Sequence, residues 1–201
     1  MHRIAVFAGL GSESLFSNTT LDRTVQDVSL PEAQILLRSF YDIFRRRIAL
    51  AVRKGELPPE SIDLDDFQRP EDLQNPASKY RESSVIQHTT IFLVQVFRYL
   101  RYRSSTDADT TQTQLRGAAG FCVGLFPAAT TATAHNDIEF LQRAQDFFLA
   151  TLWLGIHCEA FRLSLLARHR CPQNLPWSIV VDNADQAVTA AVNSLDVSSF
   201  K

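Results

Sequence analysis

One short stretch of the chain carries residues fit for covalent chemistry: Gly120-Phe121-Cys122-Val123-Gly124, a cysteine with a glycine two positions to either side. Two readings fit this spacing. The first is a buried turn with an inert thiol, because free cysteine packs well as a small hydrophobe. The second is a nucleophile elbow, the G-x-S-x-G type of turn in which a strand hands over sharply to a helix. In an elbow, small residues at −2 and +2 let strand and helix approach closely while the central residue is held in a strained backbone conformation. A cysteine there gains twice: the helix N-terminus favours the thiolate, and the turn exposes the sulfur to a cleft. The amide of Val123 points toward the position where an oxyanion would form. The spacing alone leaves both readings open.

An elbow needs a strand before it and a helix after it. Residues 114–121 suit a short strand into Cys122. Pro127 is tolerated only near a first helical turn, so the following helix is expected to start near Val123. At the start of the chain, the run Ile4 to Ala8 breaks at Gly9 and Gly11, which predicts a buried strand running into a tight loop. That loop lacks the full dinucleotide or P-loop pattern.

Between these lie helical segments. Residues 31–53 place Ile35, Leu36, Phe40, Ile43, Phe44, Ile48 and Val52 at helical spacing, with Pro31 and Glu32 suited to the first turn. Arg45, Arg46 and Arg47 fall on nearly all sides of that helix, as a solvated edge or a docking patch. Residues 55–82 are polar, contain Pro58, Pro59, Pro70 and Pro76, and predict a long connection with one short helix around Leu64–Phe67. Residues 83–103 predict a second helix, capped by Ser83 or Ser84, with a stripe of Ile86, Thr90, Leu93, Val94, Phe97 and Leu100; 104–113 read as loop. Asn136 or Asp137 caps a third long helix, about 137 to 168, with Ile138, Leu141, Phe148, Leu152, Gly155 and Ile156 on or near one face. A strand at 177–181 and a helix at 183–195 follow. Strands alternating with helices predict an α/β fold with a mostly parallel sheet.

Composition bounds the function classes. The 201 residues can bury one real core, and 45% hydrophobic with 21% charged is ordinary for a globular domain. A net charge of −2 supplies no field to recruit nucleic acid or an anionic membrane. Fourteen phenylalanines against one methionine predict a bulky aromatic core. The uncharged window 117–134 holds Pro127, glycines and threonines, which argues against a membrane span. Three cysteines at irregular spacing and no signal-peptide pattern fit a reducing, cytoplasmic setting. His157-Cys158 with His169 and Cys171 matches no common zinc spacing, so no metal is expected.

Four stretches, "VFAGLGSESLFS", "SSVIQHTTIFLVQVFRYLR", "GFCVGLFPAA" and "LPWSIVV", together resemble the starter-unit acyl carrier protein transacylase (SAT) domain of fungal non-reducing polyketide synthases, in that family's order and across nearly the whole chain. The cysteine-centred stretch is the most specific, since malonyl-type acyltransferases carry serine there. The resemblance implies an acyltransferase-like core of the α/β-hydrolase type over residues 1–170 and the beginning of a small ferredoxin-like subdomain over 171–201. It implies Cys122 as nucleophile, elbow glycines Gly120 and Gly124, and oxyanion amides from Val123 and from Leu10 in the first glycine loop. The partners implied are a thioester donor (acyl-CoA, or the carrier protein of a fatty acid or reducing polyketide synthase) and the phosphopantetheine thiol of an acyl carrier protein. No metal or resident cofactor takes part.

The sequence departs from that family in two places. Leu10 stands where the family has glutamine, which keeps the backbone amide and removes the side chain. The family's general-base histidine belongs to a segment beyond Lys201, and none of His2, His88, His135, His157 and His169 matches it. His88 reads as a surface or hydrogen-bonded histidine, His157 as packed or solvated, and His135 as a loop residue. A C-terminally truncated, non-catalytic remnant or docking module is therefore the alternative expectation. After Cys122 no cation appears until His135 and Arg143, which points to an uncharged acyl group rather than malonyl.

Overall fold

The structure, a computed structural model, describes residues 3–9, 29–106 and 115–169. Strand β1 (Arg3–Phe7) is followed by helix α1 (Pro31–Arg53), a connection with three 3-10 turns (Leu64–Asp66, Pro70–Leu73, Ser78–Tyr80), helix α2 (Ser84–Thr106) and strand β2 (Leu115–Gly120). A 3-10 turn, Cys122–Gly124, then leads into helix α3 (Leu125–Thr133), and helix α4 (Asp137–His169) comes last. The fold is mixed α/β and mostly helical. Contacts divide the chain into two compact units, Met1–Leu163 and Ser164–Lys201, the second described only over residues 164–169, where α4 ends. The strand expected at 177–181 and the helix at 183–195 lie outside the described residues.

The starts of α1 and α4 and the end of α1 have local causes. Pro31 opens α1 with Glu32 in its first turn. The helix stops at Gly55, whose φ of 72° is left-handed; the Gly55 and Glu56 amides donate back to Val52 O and Ala51 O in a Schellman arrangement. Asn136 and Glu139 cap α4 reciprocally: Asn136 Oδ1 accepts from the Glu139 amide (2.9 Å), and Glu139 Oε2 accepts from the His135 amide (3.0 Å). The α2 start differs from expectation. Ser83 Oγ is buried without a partner, and the Ser84 amide donates instead to Glu159 Oε2 of α4 (2.7 Å). The cap therefore comes from another helix. The far end of α2 also runs to Thr106, into the stretch expected to be loop.

Helices α1, α2 and α4 meet on an aromatic core. Phe40 stacks on Phe148 at 4.2 Å between centroids and meets Phe92 edge-on at 5.8 Å, and all three are fully buried. Two expected core positions are corrected. Ile35 is 53% and Ile138 70% exposed; the buried arcs run instead through Ala33, Leu37 and Ala51 on α1 and through Phe140 and Ala144 on α4. Small residues sit where helices approach most closely, so an alanine can outrank an isoleucine for an inward position. Gly155 is another such position: an added Cβ would lie 3.0 Å from Val85 Cα and 3.3 Å from His88 Cβ.

The connection 55–82 is bound to α1 by its arginine face. Arg45 Nη1 donates to the carbonyls of Leu64 (2.9 Å) and Phe67, and Tyr41 Oη donates to Gln68 O (2.6 Å). Phe67 is inserted between Phe44 and Tyr80, with centroids 5.0 and 5.4 Å away. Arg46 and Arg47 instead pair with Asp42 and Glu56.

Strands β1 and β2 pair in parallel, from Arg3 opposite Leu115 to Phe7 opposite Gly120. They form the one sheet among the described residues, so the mostly parallel sheet expected from sequence is represented there by two strands. Burial of β1 on both faces is not observed. Phe7 is buried, its ring 6.2 Å from Tyr99 of α2, but Ile4 is 65% and Val6 78% exposed on the opposite face. Among the described residues no helix is long and apolar enough to cross a membrane. The window 117–134 is divided among β2, the Cys122 turn and α3.

Candidate active site

The parallel pair ends where the candidate chemistry begins. Phe121 continues the β2 direction, and its amide donates to Phe7 O (3.0 Å). At Cys122 the chain turns: φ is 54°, the one positive φ at a non-glycine residue among those described. A side chain in this left-handed region costs on the order of 1–3 kcal/mol and persists only where the surroundings enforce it. A 3-10 turn and then α3 follow at once, so the thiol stands at a junction of strand and helix. Cys122 is a free, exposed cysteine, and its neighbour Phe121 is 78% exposed.

Three glycines enforce the turn, each by excluding a side chain. At Gly120 a Cβ would lie 2.5 Å from the Gly124 carbonyl carbon and 2.7 Å from Leu125 Cα. At Gly124 it would lie 2.6 Å from Ala8 O and 2.7 Å from the Phe7 carbonyl carbon. These are backbone atoms and cannot rotate away. At Gly9, the start of the first glycine loop, a Cβ would lie 2.7 Å from Cys122 Cβ and 2.8 Å from Phe121 O. The two glycine segments, more than a hundred residues apart in sequence, are therefore in direct contact at the thiol.

The first internal bond of the turn runs from the Gly124 amide to Phe121 O (2.9 Å). The amides of Cys122 and Val123 precede it and have no acceptor inside the helix. Val123 itself is buried. Leu10 lies outside the described residues, as do His2 and the histidine-free remainder of the first glycine loop; the described part of that loop ends at Gly9.

No described group is hydrogen-bonded to Cys122 Sγ, and two of the described histidines, His88 and His157, have other partners. His88 is buried at the start of α2 with Nδ1 2.6 Å from Ser84 O; burial holds its imidazole below the ordinary histidine value, partly opposed by that hydrogen bond. His157 is exposed and meets Trp153 edge-on at 4.1 Å. His135 is exposed in the turn before α4. Cys158, half-buried on α4, has its thiol pushed up by burial, with Cys122 and Glu159 adding to the effect.

One polar contact at the site was not anticipated from sequence. Gln95, in the apolar stretch Leu93–Phe97 of α2, donates through Nε2 to Ala8 O (2.6 Å), immediately before Gly9. Its Oε1 is buried without a partner. A lone amide inside an apolar helical stretch was the available signal.

Known proteins share sequence with this chain. The family profile described as "Starter unit:ACP transacylase in aflatoxin biosynthesis" matches residues 13–199. Among curated proteins, the chain is 36% identical over 187 residues to an orsellinic acid synthase of Beauveria bassiana (strain ARSEF 2860), an alignment covering 90% of this chain and 8% of the relative. It is 28% identical to orsellinic acid synthase armB of Armillaria mellea and 27% identical to ArmB of Armillaria ostoyae, covering 95% and 98% of this chain and 9% of each relative. The chain thus spans less than a tenth of the length of these relatives. No solved structure matches it.

Proposed function

The chain belongs to the starter unit:ACP transacylase family, and from that membership we propose that it loads a starter acyl group onto an acyl carrier protein through a thioester on Cys122. The observation that carries this reading is the turn itself: an exposed cysteine at φ 54°, between a parallel strand and a helix, with Gly9 against its Cβ. An inert core thiol has no use for exposure or for a left-handed backbone.

In the proposed reaction the Cys122 thiolate adds to the carbonyl of an acyl thioester. The Sγ–C bond forms and the carbonyl electron pair moves to oxygen. That oxyanion is met by the Val123 amide and, from the first glycine loop, the Leu10 amide. Collapse restores the carbonyl and breaks the bond to the donor sulfur, which leaves as a thiolate and takes a proton from solvent. The phosphopantetheine thiol of the carrier protein then attacks the acyl-enzyme in the same way and releases Cys122. An uncharged starter fits the apolar run after Cys122. We read β1, β2 and the elbow as the front of an α/β-hydrolase-type acyltransferase core over residues 1–170, with the beginning of a ferredoxin-like subdomain over 171–201. Polyketide assembly, the process to which the names of its relatives point, is the proposed setting.

A second reading, a non-catalytic docking module, is favoured by one observation: no described imidazole is hydrogen-bonded to the sulfur. General-base assistance is worth roughly 10²–10⁴-fold, and thiolate chemistry proceeds slowly without it. Incubation with an acyl N-acetylcysteamine thioester, followed by intact-mass and peptide mapping, separates the two. An acyl mass on Cys122, absent from Cys122→Ala, supports the transacylase. A chain whose Cys122 reacts with iodoacetamide but takes up no acyl group supports the docking module.

A further inference from the structure

We infer that Gln95 is a positioning residue for acyl transfer, acting through the Ala8 carbonyl to hold Gly9 against Cys122; the inference rests on the transacylase reading above. Ala8 lies just past the last residue of β1, where the ladder with β2 no longer fixes the backbone. Its carbonyl receives Gln95 Nε2–H at 2.6 Å across 87 residues of sequence. The Ala8 C=O and the Gly9 N–H share one rigid peptide plane. Fixing the carbonyl therefore fixes where Gly9 goes, and Gly9 leaves no room for a Cβ against Cys122 and Phe121. Leu10, whose amide the reaction proposed above assigns to the oxyanion, is the next residue in sequence after Gly9.

Packing does not account for the side chain. Gln95 Oε1 is buried and unpaired, and a half-satisfied buried amide is worse for stability than an apolar side chain of the same shape. Its neighbours Leu93, Val94, Val96 and Phe97 are buried hydrophobes. A methionine at 95 would fill the space without the unpaired oxygen, but it could not hold the Ala8 carbonyl. The amide is justified by its N–H.

The test compares wild type, Gln95→Met and Gln95→Glu as full chains. Each is treated with an acyl N-acetylcysteamine thioester and, separately, with iodoacetamide. Alkylation develops no carbonyl oxyanion, so it reports access and thiol reactivity alone. The expected result is Cys122 acylation slowed about tenfold or more in both variants, with alkylation within about threefold of wild type. Lowering the pH should raise the ratio of acylation to alkylation in Gln95→Glu, because a protonated carboxyl regains a donor, and leave the ratio flat in Gln95→Met. Acylation of Gln95→Met within twofold of wild type would overturn the inference. Should Gln95→Met fail to fold, the near-isosteric Gln95→Glu decides by the same criterion. Amide exchange at Gly9 is read in parallel: acceleration of about tenfold or more in the variants supports the inference, and an unchanged rate overturns it. A wild-type chain that alkylates but never acylates removes the transacylase reading, while the Gly9 exchange still decides whether Gln95 holds the loop.

Discussion

At the scale of single residues, the backbone of Cys122 is the feature with the sharpest energetic consequence. A φ of 54° is cheap for glycine and costly for any residue with a Cβ. Comparing Cys122→Gly with Cys122→Ala isolates that cost, since both remove the sulfur. Gly is expected to be the more stable by about 1 kcal/mol in urea unfolding, the opposite of the usual glycine penalty. If Ala proves the more stable, the turn holds no strain. This residue was legible in the sequence because small-x-Cys-x-small is a spacing with a mechanical meaning. The role of Gly9 was only partly legible: a broken strand predicted a loop, and the family resemblance set that loop beside Cys122, but local pattern alone did not say what the loop would touch. Gln95 was not legible as a site neighbour, because its contact spans 87 residues and local periodicity carries no information on such pairs.

At the scale of elements, helices were read well where long amphipathic stretches carry their own end signals. Pro31 and Asn136 mark starts of α1 and α4 that the structure reproduces. The α2 start was misread in its cause, because Ser83 supplies no cap and a carboxylate 75 residues away does. Glu159 is 2% exposed, receives the Ser84 amide at 2.7 Å and is held by Arg162 Nη2 at 2.6 Å. It thus joins α2 to α4 beside the close approach at Gly155. Truncating it leaves an uncapped helix end and a mostly buried guanidinium with no carboxylate. Glu159→Ala is expected to cost about 3 kcal/mol, or a melting temperature lower by about 6–12 °C for a chain of this length. Glu159→Gln, which keeps an acceptor for Ser84, should cost less. Equal losses for the two would mean that the cap contributes nothing beyond the ion pair.

At the scale of the whole molecule, the sheet presents one apolar face to a helix and the other to solvent. Phe7 packs inward beside Tyr99, while Ile4 and Val6, 65% and 78% exposed, point out. A continuous apolar run in the sequence suggests a strand buried on both faces, and composition alone cannot say how many layers cover it. Exposed β-branched residues on a short strand favour association between copies, since the same burial that stabilises a core is available between molecules. The chain is therefore expected to self-associate as its concentration rises through the micromolar range toward hundreds of micromolar, as read by sedimentation velocity. Ile4→Lys with Val6→Lys should suppress this and leave the far-ultraviolet circular dichroism unchanged, because neither side chain contributes to the Phe40–Phe148 core. A wild-type chain that stays monomeric throughout that range, or a double variant that associates equally, would show that this face is not the contact. The same variants keep the elbow intact, so their Cys122 acylation rate should match that of wild type. A loss of acylation would instead mean that the outer face of β1 helps to hold the first glycine loop in place.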